Sequence, residues 1–159
     1  EWASDELKTD PEILALIDAE EGFILQVLIG FQSFAIIGFN AYEKEVFLRA
    51  LVTQTAEKFD AKCAVTKASI RSILIASHIV PWSEATEEER LDANNGVLLS
   101  PVYDALFDRN LISFQDDGKI IISKKITSEL DNLQIDLQAE ININDEMKPY
   151  LQRHRNKLK

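Results

Sequence analysis

Ile73-Leu74-Ile75-Ala76-Ser77-His78-Ile79-Val80 is an apolar, β-branched run that carries one histidine, and it stops at Pro81-Trp82. Such a run bounded by proline predicts a strand. Downstream stands Asn94-Asn95-Gly96-Val97-Leu98-Leu99-Ser100-Pro101. Asn-Asn-Gly is a turn signal because these residues tolerate positive φ, so Val97 to Leu99 should continue as a second strand. Ser100-Pro101 combines a cap residue with a first-turn proline, which predicts a helix over Val102 to Arg109. Between the strands, Glu84 to Leu91 is charged and reads as a loop or short helix. Upstream, Ala64-Val65-Thr66 is short and β-prone. The order is strand, loop, strand, helix: a hairpin with a long connection and a helix behind it.

Toward the N-terminus, Thr9-Asp10-Pro11 is a helix start leading into Ile13, Leu14, Leu16 and Ile17. Phe23 to Phe39 is apolar without clean periodicity, so it stays open as buried helix or strand. Ala41 to Phe59 places Val46, Phe47, Ala50, Leu51 and Ala56 at amphipathic-helix spacing. No apolar run reaches the roughly 18 residues of a membrane span, and a charged opening argues against a signal peptide. The expected location is the cytoplasm. A sequence that opens on Glu1 rather than methionine suggests a fragment or processed product, with further domains as expected neighbours.

Composition narrows the chemistry. The single cysteine, Cys63, excludes an internal disulfide and any zinc site built on two or more cysteines; it reads as a small buried hydrophobe. The net charge of −10 is unfavourable for binding phosphates. It is unevenly spread, however: residues 1 to 60 hold 4 basic and 12 acidic side chains, residues 61 to 159 hold 13 and 15. The division expected is therefore a mainly helical, acidic segment over 1–60 and a separate domain over 61–159, with weak affinity for bare duplex.

Several motifs in one order, Cys63-Ala64-Val65-Thr66, Ala76 to Trp82, Glu89 to Asp92, Asn95 to Pro101, Tyr103 to Asp108, Leu111 to Phe114 and Tyr150 to Arg155, resemble the HNH endonucleases. The resemblance covers about the last 100 residues. It implies an α+β fold, a ββα-metal core of β-hairpin plus helix, with additional N-terminal and C-terminal helices. It also implies a divalent-metal-dependent cut of DNA by hydrolysis, as in the cleavage module of a restriction or antiphage defence system. By position, His78 would be the general base, Asn95 the orienting residue and Asp104 a metal ligand. Asp108, four residues on, shares that helix face. The family often has an Asp or His ligand just before the base; here Ser77 stands there.

Phosphodiester hydrolysis needs a base titrating near neutrality and a cation for the developing charge. Oxygen ligands favour Mg2+ or Mn2+, with Zn2+ or Ni2+ as alternatives. DNA contact is expected from Arg153, His154 and Arg155, with Lys67, Arg71 and Arg109 as a rim; a homodimer partner is a further expectation. Where the family usually has glycine, Lys67 and Asn110 stand. Asparagine takes the left-handed conformation readily and lysine does not, so the turn after Thr66 is expected to differ. The alternative function is a catalytically weak HNH-like module that binds nucleic acid or protein. Trp82 and Phe107 are expected in the core.

Overall fold

The computed structural model describes residues 52–159. The expected helix after Thr9, the run Phe23 to Phe39 and the helix from Ala41 through residue 51 lie outside the described residues. Residues 52–58 are helical, in agreement with the amphipathic spacing there.

Strand β1 (Ile75–His78) pairs antiparallel with β2 (Gly96–Leu99), Ile75 opposite Leu99 and His78 opposite Gly96. The connection between them contains a short helix, α1 (Glu87–Leu91), and a 3-10 turn, Ala93–Asn95. Helix α1 starts where its sequence says it should. Thr86 accepts from the Glu89 amide and the Glu89 side chain returns to the Thr86 amide, a reciprocal capping box. Helix α2 (Pro101–Asp108) follows β2 with proline in its first turn and packs on β1. This is the expected ββα core. A second hairpin, β3 (Ile112–Phe114) with β4 (Ile120–Ile122), and a final helix, α3 (Lys148–Arg155), complete the described chain.

The core forms where these elements meet. Leu74, Ile79, Leu98, Leu99, Phe107, Ile112, Phe114 and Leu151 are fully buried, and Val52, Ala56 and Phe59 belong to the same cluster. Residues 52–59, assigned by sequence to the N-terminal segment, thus share the core of the part beyond residue 60. Phe107 is core as expected, while Trp82 is only half-buried.

Three local expectations need correcting. Ala64-Val65-Thr66 is a turn and not a strand. The sulfur of Cys63 accepts from the amides of Thr66 (3.3 Å) and Ser100 (3.2 Å), and the Cys63 carbonyl accepts from Lys67 N at 3.0 Å, which curls the chain back. Lys67 itself adopts φ 60, the left-handed conformation it was expected to avoid; its ammonium reaches the Ala64 carbonyl at 2.5 Å and offsets part of the strain. Asn110, at φ 57, behaves as expected. At Asn94-Asn95-Gly96 the reason for glycine is different from the one the turn signal implies. Gly96 is extended, φ −130, and a Cβ there would fall 2.6 Å from Thr55 Oγ1, so glycine is needed for close approach.

The strain at Lys67 gives a stability prediction. A left-handed lysine costs about 1 kcal/mol more than glycine in the folded state, which glycine's larger unfolded-state entropy only partly offsets. Lys67→Gly is expected to raise the melting temperature by roughly 2 °C, measured by thermal unfolding; a lowered value would mean that the Ala64 contact outweighs the strain.

Candidate active site

Ser77 and His78 close strand β1 and, as neighbours on a pleated strand, serve different sides of it. The Ser77 hydroxyl donates to Asp104 Oδ1 on α2. The His78 ring turns to α1, where Nε2 lies 3.1 Å from the Arg90 carbonyl. A carbonyl only accepts, so Nε2 must carry a proton, and the neutral ring then has its lone pair at Nδ1. Burial pulls the His78 pKa below the usual histidine value, with the Arg90 carbonyl opposing, so the ring is neutral at pH 7. Trp82 meets His78 edge-on at 5.7 Å, and the Arg90 guanidinium lies 5.1 Å from the Trp82 ring while its Nε donates to the Trp82 carbonyl.

Asn95 is fully buried. Its Oδ1 accepts from Val80 N at 2.8 Å, and its Nδ2 donates to the carbonyls of Val80 (3.3 Å) and Glu89 (3.0 Å). The side chain thereby clamps the chain leaving β1 to the middle of α1, one residue before the Arg90 carbonyl that meets His78.

Asp104 is half-buried. Burial pushes its carboxyl above the ordinary aspartate value; the Ser77 hydroxyl counters this, Asp108 adds to it and Arg109 offsets it. A desolvated carboxylate with a second carboxylate one turn away is short of positive charge, and that shortage is what a cation would relieve. Asp108 is exposed. Among the described residues no group of three His, Cys, Asp or Glu side chains gathers at one point. The donors on hand, a carboxylate and a hydroxyl, fit a hard cation that keeps most of its own water, and they do not make a closed all-protein cage.

The basic cluster is largely committed internally. Arg153 pairs with Glu89 at 2.7 Å and donates to the Glu84 carbonyl at 3.0 Å. Arg155 pairs with Asp116 at 2.7 Å and donates to the Phe114 carbonyl at 2.9 Å, and Lys157 pairs with Glu84. Lys67, Arg71 and Arg109 are exposed. His154 corrects the expectation of a phosphate contact: it is 4% exposed, stacked on Phe107 at 3.9 Å. Its Nε2 donates to the Phe107 carbonyl at 3.0 Å and its Nδ1 accepts from Ser113 at 2.9 Å. It is a packing residue of the core, out of reach of a phosphate.

Burial lowers the His154 pKa from 6.5 to about 4. Below pH 6.5 the unfolded chain takes up a proton that the folded ring resists, so stability falls as pH drops from 6.5 toward 4. A shift of this size corresponds to about 3 kcal/mol. The urea midpoint is expected to decline through that window, with the His154 ring signals in NMR titrating near its lower end; a ring titrating at 6.5 would contradict the placement.

Residues 63–115 match the family model described as HNH endonuclease. The likeness to that family is carried by this stretch, 53 of the 159 residues. No curated protein matches the chain. The match spans β1, β2, α1, α2 and β3, and with them His78, Asn95, Asp104 and Ser77.

Several contacts that hold the candidate site together were not foreseen from the sequence, although some of the residues making them stand in its motifs. Arg90 contributes through its carbonyl, a group that no side-chain motif reveals. Tyr150 of α3 donates to Asp92 Oδ2 at 2.7 Å and Arg153 grips Glu89, so α3 pins α1 from outside the matched segment. Lys58 bonds to the Ala93 and Gly96 carbonyls from upstream of it. The capping box Thr86/Glu89 is the one sequence signal that could have placed α1 firmly.

Proposed function

We propose that this chain is a divalent-metal-dependent endonuclease that hydrolyses phosphodiester bonds in DNA, with His78 as general base. The observation that carries the reading is the tautomer imposed on His78: the Arg90 carbonyl fixes the proton on Nε2, so the basic lone pair is the one on Nδ1. Asp104 is the residue to hold the cation, and Ser77 orients its carboxylate through the hydrogen bond to Oδ1. When bound, Mg2+ or Mn2+ would neutralise charge developing on the phosphate and the departing oxygen. Asn95 holds the backbone on which the base depends. Lys67, Arg71 and Arg109 are exposed cations available to phosphates, whereas Arg153 and Arg155 would first have to exchange their acidic partners. A place in a restriction or antiphage system and a cytoplasmic setting belong to the same proposal; the helices of the described residues include none long and apolar enough to cross a membrane.

A second reading, a weakly active or inactive HNH-like binding module, is favoured by one observation: Ser77 supplies a hydroxyl where a stronger ligand would sit. The two readings differ in their response to metal. For the nuclease, Mn2+ raises the melting temperature of the native chain and leaves Asp104→Asn unmoved, while Asp104→Asn loses cleavage by about 100-fold or more. Equal metal response in both proteins would remove Asp104 from the site.

A further inference from the structure

The turn that carries Asn95 is braced by a residue from outside the matched segment. Lys58, at the end of the helical stretch 52–58, donates from its ammonium to the Ala93 carbonyl at 2.6 Å and to the Gly96 carbonyl at 3.0 Å. These two carbonyls flank Asn95 on either side. One turn earlier in the same helix, Thr55 is fully buried against Gly96, close enough that a Cβ on the glycine would collide with it. The helix therefore docks on the turn at two points, one by packing and one by charge-assisted hydrogen bonds.

The bracing is directed at the base. Gly96 is the register partner of His78, Asn95 O accepts from Ile79 N at 2.9 Å, and the Asn95 side chain holds Val80 and the Glu89 carbonyl. The Arg90 carbonyl, next along α1 from Glu89, is the one that receives His78 Nε2. We infer that Lys58 is a positioning residue for His78: by bridging the carbonyls on both sides of Asn95 it fixes the turn, and through it the carbonyl that sets the His78 tautomer.

The environment of Lys58 fits a held rather than a solvated ammonium. It is half-buried with the Phe59 ring 5.1 Å from Nζ. Burial lowers its pKa to about 8, opposed by the charge of Asp92. A lysine kept only for solubility would remain in water, since desolvating an ammonium is costly without partners. A division at residue 60 sets Lys58 apart from the site, yet its two bonds to the Asn95 turn bring this residue to it.

The inference rests on His78 being the base, so the test separates the two. The chain has two histidines, which makes the imidazole 15N spectrum simple to assign, and His154 serves as an internal control for folding. At fixed pH 7.5 without metal, native protein is expected to show His78 as the Nε2-protonated tautomer. In Lys58→Met, with the His154 signals unchanged, His78 is expected to become a tautomer mixture, and plasmid cleavage to drop by about tenfold or more, as a misplaced base would. Lys58→Gln keeps an amide donor on a stem one bond shorter and is the milder variant, expected to lie between.

A folded Lys58→Met with native His78 tautomer and native cleavage rate overturns the inference. Unfolding of both variants also overturns it, because Lys58 would then be a folding residue. A scrambled tautomer in Lys58→Met, together with a native protein that cleaves nothing, upholds the positioning and sinks the base.

Discussion

His78→Ala is expected to leave the fold in place and slow DNA cleavage by about 1,000-fold, within the range that a general base contributes. The expectation follows from how the ring is held. Arg90's carbonyl can accept only a proton-bearing nitrogen, so Nε2 is committed and Nδ1 is the basic atom. Burial keeps the ring neutral at pH 7, the form the proposed base needs, without any neighbour having to remove a proton first. The packing loss is modest, since His78 is half-buried and meets Trp82 edge-on. Leaving the Arg90 carbonyl short of one donor costs about 1 kcal/mol. Circular dichroism should therefore match the native protein, and added imidazole should restore part of the rate. A loss of tenfold or less would mean that water is activated elsewhere.

The second large effect is on stability. Asn95→Ala removes a fully buried side chain whose amide serves Val80 N, Val80 O and Glu89 O. Alanine satisfies none of them, and unpaired buried backbone groups cost about 1 to 3 kcal/mol each, so a total near 3 kcal/mol is expected after local relaxation and water entry. Urea unfolding measures it. Asn95→Asp is the sharper variant: it keeps an acceptor for Val80 N but sets a carboxylate against two carbonyls, so at pH 7 it should destabilise at least as much as alanine despite its closer shape. A near-native Asn95→Asp would show that the amide nitrogen contributes nothing.

The hairpin and α2 were legible in the sequence because each had a local chemical signature. Ser100-Pro101 placed the helix start to within one residue, and the β-branched run around Ser77-His78 marked β1. His78, Asn95 and Asp104 were singled out because their spacing along those elements resembles a known family. Features set by contacts distant in sequence were not legible. Nothing local about Lys58 announces that it reaches carbonyls some 35 residues away. His154 sits in a basic run that suggests a surface, yet α3 turns it onto Phe107 and sends Arg153 and Arg155 outward to Glu89 and Asp116. Ala64 to Thr66 has β-prone composition, and the sulfur of Cys63 overrides it by drawing in two amides.

Asn-Gly illustrates a right expectation resting on a wrong cause. The turn exists, but Gly96 is extended and its missing side chain makes room for Thr55. Sequence composition marks the position without revealing which property of glycine is used.

The central claim is metal-dependent hydrolysis of DNA by this chain. Supercoiled plasmid incubated at low salt with the purified protein in Mg2+, Mn2+ or EDTA, beside Asp104→Asn, tests it most directly. Nicked product in Mg2+ or Mn2+ that disappears with EDTA and with Asp104→Asn is the predicted result. Plasmid left intact by the native chain in every metal, with DNA still bound, would contradict the nuclease and leave the binding module in its place.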